Sequence, residues 1–147
     1  MDWQANVIDD DNGLARILRE ARTVAVLGAK GEAGQLAFYV PAYLKAHGYR
    51  VLPVNPTRVG ERILGESVVA TLADLGDSPD VIEIFRRPQF LQAHAAEIIR
   101  MPRTPAVVWF QLGIRNDGAA ETLARAGIRV VQDRCMMPEH RRLLGAA

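Results

Sequence analysis

The sequence contains a single cysteine, Cys135, among its 147 residues. One cysteine cannot form a disulfide within the chain, and it cannot build a zinc site from several thiolates. Because disulfide-free chains are typical of reducing compartments, we expect a cytoplasmic protein. The length lies within the usual size of one domain, so we expect residues 1–147 to fold as a single domain.

The chain also lacks a long hydrophobic run and a surplus of one charge. No apolar stretch approaches the length of about 18 residues that a membrane helix needs. Its first residues are acidic, unlike the basic start of a secretory signal. The 18 basic and 17 acidic residues give a net charge of only +1, whereas a nucleic-acid-binding surface concentrates positive charge. We therefore expect neither a membrane nor a nucleic acid as partner.

Short β-branched runs alternate with longer helical stretches along the chain. The predicted strands are Thr23–Leu27, Arg50–Val54, Asp80–Phe85, Pro105–Phe110 and Ile128–Gln132. Several are almost continuously apolar, which is typical of strands covered by helices on both faces. Strands interleaved with helices favour right-handed β-α-β units. The pattern predicts an α/β Rossmann-like three-layer fold with a five-stranded parallel sheet.

The segments between these runs carry the start and stop signals of helices. Residues 9–12 offer N-caps for a first helix, and Asn116 offers one for the last crossover helix. The predicted apolar faces are Leu36, Tyr39, Val40 and Tyr43 in helix 35–46, and Phe90, Leu91, Ile98 and Ile99 in helix 88–100. Pro41 leaves open whether helix 35–46 kinks or starts later. Residues 57–79 are predicted as a connection with one short helical turn.

The candidate site comprises the residues that follow each strand, because ligands of open parallel sheets bind beyond the carboxyl ends of the strands. Gly28, Ala29 and Lys30 begin a glycine-rich turn into a helix, which can present backbone N–H groups to an anion. The segment after the second strand contains Arg58 but no acidic residue, whereas an NAD site usually has Asp or Glu there. Arg58 and Lys30 favour a phosphorylated ribose, as in coenzyme A or NADP. A flexible turn without ligand and a solvated arginine are the alternatives.

Later strand ends add further polar groups. Segment 85–88 contains two adjacent arginines before a proline, which suits a diphosphate. Alternatively, both arginines pair with surface carboxylates such as Glu83 or Glu97. Gln111 and Gly113 follow the fourth strand and suit an amide-bearing tether better than a highly charged group.

Cys135 and His140 follow the fifth strand, five residues apart. A cysteine near a histidine is a candidate for nucleophilic catalysis. A lone cysteine is more often a small buried hydrophobic residue. Catalysis, a thiol contact with the ligand and a plain structural role all stay open, and the last is favoured.

In their order and spacing, these segments resemble the stand-alone CoA-binding domain family, which is similar to the N-terminal CoA-binding domain of succinyl-CoA synthetase alpha subunits. The resemblance runs from about Thr23 to Leu144. It rests on VAVLGAKGEAG, on HGYRVLPVNP followed by ILGE, and on FRRP, VWFQLGI and VVQDRCMMPEHRRLL. It implies a Rossmann-like sheet with coenzyme A lying across the strand ends.

The resemblance also implies a role for each candidate residue. Gly28, Ala29 and Lys30 would contact the nucleotide phosphates, Val54, Asn55 and Pro56 the adenosine, Arg58 the 3′-phosphate, and Phe85, Arg86, Gln111 and Gly113 the pantetheine. Lys30 departs from the family, whose members commonly have Ser or Thr there. The family supplies no reaction, so we expect a binding or regulatory protein for coenzyme A or an acyl-CoA.

Other functions are compatible with the same residues. They are an NADP-dependent oxidoreductase, and an accessory subunit of an acyl-CoA ligase-type enzyme. A protein partner or a homo-oligomer is compatible with each of these functions.

Overall fold

The computed structural model describes residues 2–145. These residues contain seven strands: β1 (Thr23–Leu27), β2 (Arg50–Val54), β3 (Arg62–Ile63), β4 (Glu66–Ser67), β5 (Val81–Ile84), β6 (Val107–Phe110) and β7 (Arg129–Val131). Five of them form a parallel sheet in the order β2-β1-β5-β6-β7. The predicted five-stranded parallel sheet is confirmed.

Helices cover both faces of this sheet, as the apolar strands predict. The same residues contain five α-helices: α1 (Asp11–Glu20), α2 (Leu36–Ala46), α3 (Leu91–Ile99), α4 (Asp117–Arg125) and α5 (Met136–Leu143). Helices α1, α2 and α5 pack on one face and α3 and α4 on the other. This arrangement confirms the Rossmann-like α/β fold. None of the helices described is long and apolar enough to cross a membrane.

Two helices begin where their capping residues predict. The carboxylate of Asp10 accepts a hydrogen bond from the Gly13 N–H (3.1 Å) in the first turn of α1. The Asn116 side chain accepts one from the Ala119 N–H (3.0 Å) in the first turn of α4. Each cap satisfies a backbone donor that has no partner within the helix.

Two predicted apolar faces are partly wrong. Leu36 and Tyr39 are exposed at the start of α2, whereas Val40 is buried as predicted, together with Ala37, Pro41 and Leu44. Pro41 lies inside the helix, which begins at Leu36. The prediction chose the large apolar side chains, whereas the buried face of α2 also contains the smaller residues alanine and proline.

The α3 face differs for another reason. Residues Pro88–Phe90 form a 3-10 turn, and α3 starts only at Leu91. Phe90 belongs to the 3-10 turn and is exposed, and Ile99 at the end of α3 is exposed as well, whereas Leu91 and Ile98 are buried as predicted.

A β-hairpin formed by β3 and β4 lies in the stretch predicted as a connection. Its two turn residues, Leu64 and Gly65, have positive φ angles of 52° and 84°. Positive φ at both positions is typical of a type I′ hairpin. This hairpin is hard to predict from sequence because its strands have two residues each and leucine replaces the usual asparagine in the turn.

The strand register aligns the carboxyl ends at the middle of the sheet. Leu27 at the end of β1 pairs with Val54 of β2 on one side and with Ile84 of β5 on the other. After β1 the chain crosses to β2 at one edge, and after β5 it crosses to β6 in the opposite direction. Strand order therefore reverses between β1 and β5, where such folds open a crevice.

Candidate functional site

A cavity of about 290 Å³ lies at this reversal point, beyond the carboxyl ends of β1, β2 and β5. It is lined by Gly28, Lys30, Asn55, Thr57, Phe85, Arg86, Arg87 and Phe90. We call it the strand-end crevice. Five of its lining residues were predicted for the site, namely Gly28, Lys30, Asn55, Phe85 and Arg86.

A larger cavity, of about 560 Å³, lies at the other end of the strands. It is bounded by the end of α3 and by the segment that precedes β5, including Gly76 and Met101. Its position beside the amino ends of the strands differs from the usual ligand position in open parallel sheets. The strand-end crevice is therefore the better candidate despite its smaller volume.

Gly28 brings the loop after β1 into close contact with β5. Its φ is +91°, and a Cβ atom there would lie 2.6 Å from the carbonyl oxygen of Phe85. The Gly28 N–H donates to the Val54 carbonyl oxygen (2.8 Å). A larger residue would strain the backbone and push the loop off β5. Glycine at this position therefore allows the loop after β1 to lie against the backbone of Phe85.

Asn55 ties the same loop to the end of β2. Its side-chain Nδ2 donates to the Ala29 carbonyl oxygen (2.9 Å). Its Oδ1 accepts hydrogen bonds from the N–H (2.9 Å) and the hydroxyl (2.7 Å) of Thr57. The side chain is buried and uses both ends of its amide within the protein. Asn55 thus positions the walls of the crevice.

Three cationic side chains line the crevice: Lys30, Arg86 and Arg87. Within residues 2–145, none of them lies within 4.0 Å of a carboxylate oxygen. The alternative in which the two arginines pair with Glu83 or Glu97 is wrong for the described chain. Cations held together without internal counter-charges are suited to an anion, and guanidinium groups bind phosphate oxygens in pairs.

Arg58 is placed differently from the expectation of an available cation. Its guanidinium lies 2.8 Å from Glu32 Oε1 and 3.5 Å from Glu61 Oε1. The hydrogen bond from Arg58 holds the pKa of the Glu32 carboxyl below its usual range. Arg58 lies against Gly31 of the glycine-rich loop, beside the crevice rather than in its lining.

The remaining predicted residues do not line the crevice. Ala29 and Val54 are buried beneath it, and Pro56 is exposed. Gln111 is buried at the end of β6. The Gly113 N–H donates to Asp133 Oδ1 (2.6 Å) in the following turn. The structure therefore groups the residues after β1, β2 and β5 and leaves those after β6 outside.

A buried polar cluster lies near these strand ends, on the sheet face covered by α1, α2 and α5. Both carboxylate oxygens of Glu83 and both amide atoms of Gln111 have no hydrogen-bond partner within the described residues. Burial raises the pKa of Glu83 to about 8. Burial also raises the pKa of the Cys135 thiol, and the nearby Gln111 amide partly opposes this effect. The Gln111 amide itself has no hydrogen-bond partner of normal geometry among the described residues. The apolar neighbours of Glu83 in sequence were the signal for its burial.

Cys135 and His140 have separate surroundings in the described residues. His140 Nδ1 and the Tyr43 hydroxyl share a hydrogen bond of 2.9 Å. The His140 ring also packs edge-on against His47 and Tyr49. No hydrogen bond joins Cys135 to His140 in the part of the chain described, and a thiol with a raised pKa is a weak nucleophile near neutral pH.

The fold and the crevice together define a doubly wound α/β arrangement with a cation-lined cavity at its topological switch point. The family model described as a CoA binding domain matches residues 22–141. The chain therefore belongs to this CoA binding domain family, which confirms the family resemblance and supports coenzyme A binding in general.

The chain is similar in sequence and fold to solved structures, and similar in sequence to a curated protein. A solved structure from Thermus thermophilus is 46% identical, with a TM-score of 0.87, and the match covers 92% of this chain and all of that one. A structure from Pyrococcus horikoshii OT3 is 34% identical, with a TM-score of 0.85, over 93% of this chain and 94% of that one. The protein YneT of Bacillus subtilis (strain 168) is 28% identical over 127 residues, which are 86% of this chain and 91% of YneT.

Proposed function

We propose that the protein binds coenzyme A or an acyl-CoA in the strand-end crevice and serves as a binding or regulatory protein without catalysis of its own. One observation carries the proposal: Lys30, Arg86 and Arg87 line a single cavity with no carboxylate partner within residues 2–145. The CoA binding domain family supports the choice of ligand.

The crevice suits the diphosphate of this ligand. Arg86 and Arg87 follow β5, and Lys30 follows β1, so cations reach the cavity from both sides of the switch point. Helix α2 begins beside the cavity, and the Gln35 side chain makes no capping hydrogen bond there. An uncapped helix start presents backbone N–H groups and a partial positive charge to an anion.

The absence of catalysis is proposed from the surroundings of the reactive side chains. The Cys135 thiol is buried, and the His140 ring is hydrogen-bonded to the Tyr43 hydroxyl. Neither side chain is therefore positioned to attack a thioester. Incubation with acetyl-CoA should release no thiol faster than a buffer blank, as followed with a thiol reagent. Thiol release in proportion to protein concentration would contradict this part of the proposal.

Isothermal titration with coenzyme A tests the ligand and the crevice together. We expect saturable binding that weakens about tenfold to a hundredfold in Lys30→Ala or Arg86→Ala, because a charge-assisted hydrogen bond contributes about 1.5–3 kcal/mol. Arg16→Ala is the matched control, since this exposed arginine pairs with Glu20 on α1. It should bind like the wild type.

NADPH is the competing ligand to measure in the same titrations, because it has a diphosphate and a ribose phosphate but no pantetheine arm. Binding of NADPH with no binding of coenzyme A would contradict the proposal and favour the oxidoreductase alternative. Equal weakening by the crevice and control substitutions would place the ligand elsewhere.

A further inference from the structure

Arg58 is the cation nearest the crevice that has an internal counter-charge. Its side chain is 22% exposed and contacts the carboxylate of Glu32, which is 55% exposed. The shorter contact, 2.8 Å, is to Glu32, and that to Glu61 is 3.5 Å. Lys30, Arg86 and Arg87 have no such contact within residues 2–145.

Glu32 also engages the backbone of the glycine-rich loop. Its second oxygen, Oε2, accepts a hydrogen bond from the Gly31 N–H (3.1 Å). One carboxylate therefore bridges a backbone N–H and a guanidinium group. Phosphate oxygens bind to the same pair of donors in nucleotide sites, which combine loop N–H groups with an arginine.

The position of this contact matches one end of the proposed ligand. Gly31 belongs to the turn that begins at Gly28, and a Cβ atom on Gly31 would lie 3.7 Å from Arg58 Nη1. Arg58 is therefore packed on the loop that lines the crevice. A ribose phosphate that reached Arg58 would have to displace the Glu32 carboxylate.

We infer that Glu32 is a specificity-determining residue of the crevice: its carboxylate competes with a ligand phosphate for Arg58 and for the Gly31 N–H. The inference deepens the proposed function and rests on it. Ligands without the ribose phosphate leave the Glu32–Arg58 pair intact. Ligands with it must break the pair, and a phosphate monoester, with a charge of about −1.5 to −2 at pH 7, can replace a carboxylate there.

The expected size of the effect follows from population arithmetic. When a site is competent in only a fraction of molecules, the apparent dissociation constant is the intrinsic constant divided by that fraction. If Arg58 is released from Glu32 in about a tenth of the molecules, removing the competing charge strengthens phosphate binding about tenfold.

The test compares coenzyme A with 3′-dephospho-coenzyme A by isothermal titration. We expect Glu32→Gln to bind coenzyme A about tenfold more tightly than the wild type, with a change of less than about twofold for the dephospho form. Adding Arg58→Ala to Glu32→Gln should remove this gain. Glu61→Gln should give a smaller gain, because its contact to Arg58 is longer.

Glu121→Gln is the matched control, since it removes the same charge from an exposed ion pair on α4. It should bind both ligands like the wild type. Melting temperatures of all variants verify that each is folded.

The outcomes separate the inference from the proposed function. An unchanged preference in Glu32→Gln, with coenzyme A still bound, would overturn the inference and leave the proposed function standing. Equal gains for both ligands would also overturn it, because Glu32 would then act as a general repulsive charge. Failure of every variant to bind coenzyme A would overturn the inference and the proposed function together.

Discussion

Replacing Glu83 by glutamine should make the protein more stable and flatten its stability between pH 5 and pH 8. Glu83 is 0% exposed on β5, and neither of its carboxylate oxygens has a partner among the described residues. Burial raises its pKa from the usual 4.5 to about 8. Glutamine has nearly the same shape, and it cannot ionise.

The sign follows from proton linkage. Between pH 4.5 and about 8, Glu83 is protonated in the folded protein and ionised in the unfolded chain, so unfolding releases a proton. The contribution of Glu83 is therefore fully present below pH 4.5 and is lost as the pH rises to about 8. The loss amounts to about 1.4 kcal/mol per pH unit, and so to about 5 kcal/mol at most over this interval.

This magnitude is large beside the total stability of a domain, which is about 5–15 kcal/mol. Relaxation of the core and entry of water reduce it, so we expect Glu83→Gln to gain about 2–5 kcal/mol at pH 8. The gain should shrink towards pH 5. The titratable neighbour, Cys135, does not alter this range because its pKa is raised above the usual 9.0.

Urea unfolding followed by circular dichroism at pH 5, 6, 7 and 8 measures the difference. Burial lowers the pKa of His140, which gives both proteins the same loss of stability towards acid pH, so that effect cancels between them. Glu20→Gln, an exposed carboxylate on α1, is the control and should show no such trend. A difference between wild type and Glu83→Gln that stays constant across the four pH values would refute the reasoning.

Three further substitutions or reactions test the crevice and its surroundings. Gly28→Ala should destabilise the protein by at least about 1–3 kcal/mol and abolish coenzyme A binding, since its Cβ would meet the Phe85 carbonyl oxygen at 2.6 Å; unchanged urea unfolding and titration would contradict this. Asn55→Ala should reduce the free energy of unfolding by about 1–3 kcal/mol, because it leaves the Ala29 carbonyl oxygen without its donor; an unaltered urea midpoint would contradict this role of Asn55. Cys135 should react slowly with a thiol reagent in the folded protein and fully in denaturant; equally fast reaction in both states would contradict its burial.

The sheet could be predicted from the sequence because its strands are apolar and β-branched. Thr23–Leu27 and Arg50–Val54 were predicted to the residue, and the later strands to within two residues at each end. Such runs identify strands directly, since both faces of the sheet are covered. The hairpin at Leu64 and Gly65 was missed because two-residue strands leave no periodic pattern.

The part of the site that could be predicted is the part formed by residues directly after the strands. Lys30 and Arg86 follow strands that are neighbours in the sheet, so the topology alone brings them to one crevice. Gln111 also follows a strand, but its side chain is buried beneath the helices on one face of the sheet and does not reach the crevice.

The pairing of Arg58 with Glu32 could not be predicted, because it depends on how two loops fold towards each other. Both residues were visible in the sequence as charges after strands. Nothing in their spacing indicated that the two residues would pair with each other, so we predicted Arg58 to be available to a ligand.

Each outer strand of the sheet is flanked at one position by a single bridge to extended chain. At one side Val69 pairs with Val54 of β2, and at the other Val7 pairs with Val130 of β7. These segments occupy backbone groups that an intruding strand would use. A strand added by another molecule at these positions would first have to displace one of these segments.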